Sequence, residues 1–225
     1  MIALVTVAFL AASAVPPALQ TARDLQDRAA LQRIADESAA AAARAPKDAD
    51  AQYRAALAAS YQAEVALELR DKKLAEQAAE RGIMAAEQAI ALKPDVAEYY
   101  RVLGTLCGQV VPANVLMGLS YGKRAKDAID QALAKDPKSP AAYMARGVGN
   151  YYLPAALGGG LELAVSDFRK ALALDAKDAD AWLWLGIALR KENKNAEARQ
   201  AFSKSVELNP RRIWAKQQLD KTPAG

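Results

Sequence analysis

The stretch Ala179–Arg212, ADAWLWLGIALRKENKNAEARQAFSKSVELNPRR, decides the fold. Its large and small residues fall at helical spacing: Trp182, Leu185-Gly186, Ala198, Phe202, then Leu208-Asn209-Pro210. Gly186 and Ala198 mark where two helices of one unit approach closely. Trp182, Leu185 and Phe202 fill the space around that contact. Pro210 stops the second helix, because proline lacks the N–H that would continue it. The result is a helix–turn–helix unit of 34 residues.

Three further copies lie upstream. Each second helix ends on an anchor (Pro46, Pro94, Pro137 or Ala176), followed six residues later by Gln52, Tyr100, Tyr143 or Trp182. The local sequence recurs as Pro46-Lys47-Asp48-Ala49-Asp50-Ala51 against Ala176-Lys177-Asp178-Ala179-Asp180-Ala181. Asp48 and Asp178 stand where an N-cap would accept backbone N–H bonds. The pattern resembles tetratricopeptide (TPR) repeats, whose period is about 34 residues. The resemblance implies an all-α helical solenoid with repeats over 49–94, 97–137, 140–176 and 179–212. Capping helices are expected over 24–45 and 211–221, because both ends of such an array need covering. One domain, 24–222, would follow a linker over 15–23. Alanine at about a quarter of positions supports about ten helices and no strands.

Successive units span 48, 43 and 39 residues between their aromatic or Gln anchors. The linker step is constant, so the excess belongs inside each helix pair. The expectation is three enlarged internal turns on one edge, growing toward the N-terminus.

The 225-residue chain is 25% charged and 52% hydrophobic, with net charge +4. That is an ordinary globular balance. Charges of both signs are interspersed, and no basic run carries interleaved aromatics, which argues against a nucleic-acid partner. The absence of histidine removes Ser-His-Asp and Cys-His nucleophiles and every His-ligated metal site. The lone Cys107 removes intramolecular disulfides and reads as a small core residue. No catalytic residue, metal or cofactor is expected.

At the N-terminus, the apolar run Ile2–Ala11 precedes the small-x-small signature Ala12-Ser13-Ala14, and Pro16-Pro17 ends any helix there. Residues 1–14 read as a signal peptide cut after Ala14, giving a periplasmic or secreted bacterial protein. The run is too short to span a bilayer, so no stable membrane span is expected after cleavage. No cysteine follows it to carry a lipid. The alternative is an uncleaved helix packing on the leading repeat.

Two inserts are apolar, interrupted by proline and then glycine: Val110–Gly122 and Tyr151–Gly160. They read either as a satellite core over longer first helices or as an apolar cavity. Such a cavity, lined by Val111, Leu116, Met117, Tyr121, Tyr151, Tyr152 and Leu157, would take a small apolar ligand. Gly158-Gly159-Gly160 lacks the strand and the following Lys-Ser/Thr of a phosphate loop. It reads as a tight turn into the next helix. Glu64, Glu68 and Asp71 lie close on the first unit and read as a solvated helical face.

In a TPR array the first helices line a concave groove. The resemblance therefore places Tyr53, Leu57, Arg101, Thr105, Met144, Val148, Tyr151, Leu183, Ile187 and Arg190 on a partner surface. TPR domains that clamp an acidic C-terminus use Lys/Arg with Asn at these positions. Here Arg101 is followed by Thr105, then Met144 and Val148, so an apolar peptide or helix fits better.

The turn Leu153-Pro154-Ala155-Ala156-Leu157-Gly158-Gly159, with Ala164, Phe168 and Lys170-Ala171 after it, resembles exported bacterial TPR proteins. These include the T-component of tripartite ATP-independent periplasmic (TRAP) transporters. That resemblance implies a periplasmic solenoid, a homo-oligomer, an apolar channel and a binding-protein partner. The chain departs from it in its regular final repeat. Two functions are expected: a non-catalytic scaffold for protein partners, or an accessory component of solute uptake holding a small apolar ligand.

Overall fold

The computed structural model describes residues 15–114 and 117–224. The signal-peptide reading and Leu116 lie outside them. The described residues form eleven α-helices and no strand: α1 (Pro17–Asp24), α2 (Arg28–Arg44), α3 (Ala49–Glu68), α4 (Lys72–Leu92), α5 (Ala97–Ala113), α6 (Gly118–Lys135), α7 (Pro140–Tyr152), α8 (Leu161–Leu174), α9 (Ala179–Lys191), α10 (Asn195–Leu208) and α11 (Ile213–Asp220). A short 3-10 turn over Ala155–Leu157 interrupts the α7–α8 connection.

Local chemistry sets the boundaries. The Asp48 side chain accepts from the backbone N–H of Asp50 and Ala51 to start α3, and Asp178 does the same for Asp180 and Ala181 at α9. Ser139 caps α7 through Ala142. Three tight turns share one conformation, with Gln26, Arg70 and Asn193 at φ 53, 64 and 62. In each, that residue's N–H reaches the carbonyl three back and the next N–H reaches five back: Arg70 to Leu67 with Asp71 to Ala66, and Asn193 to Arg190 with Lys194 to Leu189.

Most of the extra length lies in helix rather than in turns. Helices α3 and α4 are 20 and 21 residues, against 13 and 14 in α9 and α10, and the connecting turn is three residues in both units. Seven residues is close to two helical turns, so each face keeps its orientation. Helices α5 and α6, at 17 and 18 residues, are longer than α9 and α10 by about one turn each. Only the third pair, α7 and α8, keeps the short lengths of 13 and 14 and puts its excess in the connection. There Pro154 and the left-handed Gly158 (φ 86) leave no other choice.

The N-terminal boundary also differs from expectation. Residues 17–24 are helical, not linker, and the break falls at Leu25–Asp27, where Asp27 caps α2 through Ala30. Helices α1 and α2 form a leading helix pair. Pro17 starts α1, because proline at the first helical positions gives up an N–H with no intrahelical partner.

Each helix packs on its sequence neighbours, and first helices also pack on first helices: α1 on α3, α3 on α5, α5 on α7, α7 on α9. Elements touch most closely on the inside of a curve, so the first helices form the inner face. The eighth residue of α5, α7 and α9 is glycine, with no room for a methyl group. A Cβ would lie 2.6 Å from Ile129 at Gly104, 2.6 Å from Phe168 at Gly147 and 2.7 Å from Phe202 at Gly186. In α3 the eighth residue is Ala56, which is fully buried. The core falls into two hydrophobic clusters, one drawn from α1–α6 and one from α7–α11.

Candidate functional site

The inner face is more closed than the sequence suggests. Four residues placed on a groove surface are core: Tyr53, Leu57, Leu183 and Ile187 are 4%, 2%, 0% and 6% exposed. Contact between successive first helices puts these positions between helices. Tyr53 stacks on Tyr99 with ring centres 5.2 Å apart, and its hydroxyl donates to Glu98 Oε1 at 3.0 Å. Leu57 belongs to the first cluster, Leu183 and Ile187 to the second.

The polar members are engaged as well. Arg101 Nε and Nη2 donate to Glu98 at 2.7 and 2.6 Å, and Thr105 Oγ1 donates to the Arg101 carbonyl at 3.0 Å. Arg190 donates to Gln218 and Thr222, tying α9 to α11. Met144, Val148 and Tyr151 stay half-buried beside the second cluster.

Of the apolar inserts, Val111 lies in α5 and Tyr121 in α6. Both are half-buried, and Tyr121 packs on the first cluster. Tyr151 packs on the second cluster. Met117, Tyr152 and Leu157 are exposed. The two inserts thus rest on different halves of the core. Two surface depressions of about 300 Å³ lie elsewhere, along α8, α9 and α10, with Arg169 at the edge of both.

An aromatic ladder crosses the later first helices. Tyr151 and Tyr152 of α7 meet the Trp184 ring of α9 edge-on at 5.9 and 6.3 Å, and Trp184 meets Trp214 of α11 at 5.4 Å. The Lys191 ammonium lies 4.4 Å from the centre of the Tyr151 ring. Tyr152 is 44% exposed, and Tyr151, Trp184 and Trp214 are half-buried.

The largest departure concerns Glu64 and Glu68, which do not form a solvated face. The Glu68 side chain is 2% exposed and Glu64's is 23%. Both accept from Arg212, whose own side chain is completely buried. Asp71 alone stays at the surface, capping α4 and pairing with Arg28. Around Arg212 a second cation, Arg23, donates to Asp180 Oδ2 at 2.7 Å and to Asp24 Oδ1 at 2.8 Å. Asn209 donates to Asp24 and Gln217 to Gln26, contacts that span 185 and 191 positions. The network ties α1 and α3, in the leading repeats, to α9 and the start of α11. Burial together with the Glu64 charge, opposed by Arg212, pushes the Glu68 acid up to about 7. Burial opposes ionisation of Asp180 too, yet the two guanidiniums beside it hold its carboxyl below the usual range.

Neither Arg23 nor Arg212 stands out by composition. One signal was present: Arg212 falls 34 residues after Asp178, at the cap position of α11. It makes no cap hydrogen bond there. A cation at a helix N-terminus also opposes the helix dipole, so a role elsewhere explains its place.

Residues 158–213, covering α8 to α10, match the tetratricopeptide repeat family. The fold of the described residues is a TPR-like helical solenoid. Among solved structures it is similar to a thermophilic TPR protein of Thermus thermophilus, with TM-score 0.60, 18% identity, and coverage of 88% of this chain and 98% of that one. It is also similar to YrrB, described as a TPR protein with an unusual peptide-binding site, at TM-score 0.44 and 19% identity over 90% of each chain. MamA of Desulfovibrio magneticus RS-1 gives TM-score 0.46 and 17% identity, covering 89% of this chain and 99% of that one. No curated protein matches the chain.

Proposed function

We propose that the protein is a non-catalytic scaffold that binds a protein or peptide partner in the bacterial periplasm. The observation that carries this reading is the half-exposed aromatic ladder of Tyr151, Tyr152, Trp184 and Trp214 on three first helices. Large rings with few rotatable bonds and a polar edge are the side chains that dominate protein interfaces. Met144 and Val148 on α7 extend the surface with apolar area. The location rests on the apolar run Ile2–Ala11 and the Ala12-Ser13-Ala14 signature.

A photo-crosslinking residue at Met144, expressed in the native host, tests the function. The expected result is one discrete protein adduct, lost in Tyr152→Ala and absent when the crosslinker replaces Lys204 on α10. Adducts of equal yield at both positions would overturn the assignment. Cell fractionation with N-terminal sequencing tests the location, and an intact Met1 in the cytoplasmic fraction would refute it.

A further inference from the structure

We propose that the edge of the solenoid formed by its internal turns docks on a lipid bilayer carrying anionic headgroups, with Met117, Leu119 and Leu157 entering the apolar layer. The inference goes beyond the scaffold reading and uses a different surface. It begins from where the exposed apolar side chains fall. Ten large ones are exposed among the described residues. Six of them, Leu25, Leu69, Met117, Leu119, Leu157 and Leu163, sit at the turns inside the pairs α1–α2, α3–α4, α5–α6 and α7–α8, and Tyr152 of the ladder joins them. Only Leu92 and Leu174 lie at the opposite edge, where the linkers run. Single exposed leucines need no explanation, but their concentration on one edge marks an interaction surface. The turns share that edge because each helix reverses the direction of the one before. Tyr53 meets Tyr99 and, two helical turns on, Ser60 meets Gln109, so α3 and α5 run parallel.

Three observations select a bilayer as the occupant. First, no charged residue lies between Arg101 and Lys123 or between Arg146 and Glu162. The two middle turns therefore enter an apolar layer without stripping water from an ion. Second, their backbone is largely satisfied from within. The N–H groups of Leu157, Gly158, Gly159 and Gly160 donate to the carbonyls of Pro154, Ala155, Pro154 and Asn150, and that of Met117 donates to Asn114. Hydrocarbon offers no partner for such donors, so a segment that enters it must supply its own. Third, the neighbouring α3–α4 turn exposes Arg70, Lys72 and Lys73, none of them in an ion pair among the described residues, while Asp71 between them is taken by Arg28. Cations beside apolar tips are the composition that holds a protein on an anionic lipid surface. Leu119 is 80% exposed and Leu157 58%, and neither lines a surface depression. Projecting tips suit a fluid layer, whereas a small ligand needs a concave site.

The test places an environment-sensitive fluorophore on an introduced cysteine in the full chain, at Ala156 on the turn edge or at Leu174 on the linker edge, with the buried Cys107 left unlabelled. The probes are vesicles of phosphatidylglycerol mixed equally with phosphatidylcholine, and vesicles of phosphatidylcholine alone. The expected result is a blue shift at position 156 with the anionic vesicles and none at 174. Leu119→Ser with Leu157→Ser should weaken vesicle binding by about tenfold or more at an unchanged melting temperature, since both side chains are exposed. Lys72→Glu with Lys73→Glu should abolish the preference for phosphatidylglycerol. No shift at 156, or equal shifts at both positions, would overturn the proposal. So would binding unchanged by the serine variant, which would assign it to the apolar run Ile2–Ala11. A shift at 156 that needs no lipid and follows dimer formation in sedimentation would make the edge a contact between two copies and overturn it as well. A partner captured at Met144 while the vesicles fail would leave the scaffold reading standing and remove only the bilayer.

Discussion

Replacing Glu68 by Gln should remove one buried titration from the pH dependence of the protein's stability. Glu68 is 2% exposed at its side chain, so solvent does not screen it, and its acid is pushed up from 4.5 to about 7. An acid held above its unfolded value binds its proton more tightly in the folded state. Between those two values the folded chain carries more protons than the unfolded one, and stability falls as pH rises. The penalty is absent below the unfolded value and fully present above the folded one. At about 1.4 kcal/mol per pH unit of difference, it reaches about 3 kcal/mol. Glutamine keeps an acceptor for Arg212 and removes the charge. Urea unfolding at about pH 5 and about pH 8, for wild type and Glu68→Gln, isolates the effect as a difference of differences. The variant should gain about 3 kcal/mol relative to wild type at the higher pH. A difference that stays flat across this range would refute the claim that Glu68 is buried against Glu64 with its charge incompletely matched.

The same methyl group should have opposite effects at two glycines. At Gly186 a Cβ would lie 2.7 Å from Phe202, so Gly186→Ala should destabilise by about 1 kcal/mol after the gain in helix propensity. At Gly149 it meets nothing within 4 Å, so Gly149→Ala should stabilise by up to about 1 kcal/mol, both read from urea midpoints. Asp48→Ala removes two cap bonds, at 2.9 and 3.2 Å, and should cost about 1 kcal/mol, with increased amide exchange in the first turn of α3.

The helical array was legible because its punctuation is local. Proline after four of the five second helices, aspartate before α3 and α9, and the small–large pair Gly186–Phe202 all act within one unit. The location of the extra length was not legible. Anchors six residues apart fix the linker, and helices lengthened by whole turns keep the same faces inward, so the spacing alone cannot separate a longer helix from a longer turn. Breakers decide it: Ala49–Glu68 holds no glycine or proline, whereas Pro154 and Gly158 interrupt the third pair. Pro17 was read as the end of a segment, while its position at the start of α1 makes it the beginning of one. The burial of Tyr53, Leu57, Leu183 and Ile187 follows from contacts between successive first helices. The ion network joins Arg23 to Asp180 and Arg212 to Glu64, 157 and 148 positions apart. No local pattern records such a closure, and the arginine at the α11 cap is its one trace in the sequence.

The central claim is that Arg212 ties the leading repeats to the C-terminal helix across the inner face. Pulsed electron resonance between spin labels on introduced cysteines at the exposed Lys73 and Lys216 tests it most directly, with the fully buried Cys107 left unlabelled. The account predicts one narrow distance in the otherwise wild-type chain, and a longer, broader distribution when Arg212→Gln is added. A broad distribution with Arg212 in place, or a narrow one unchanged by its loss, would contradict it.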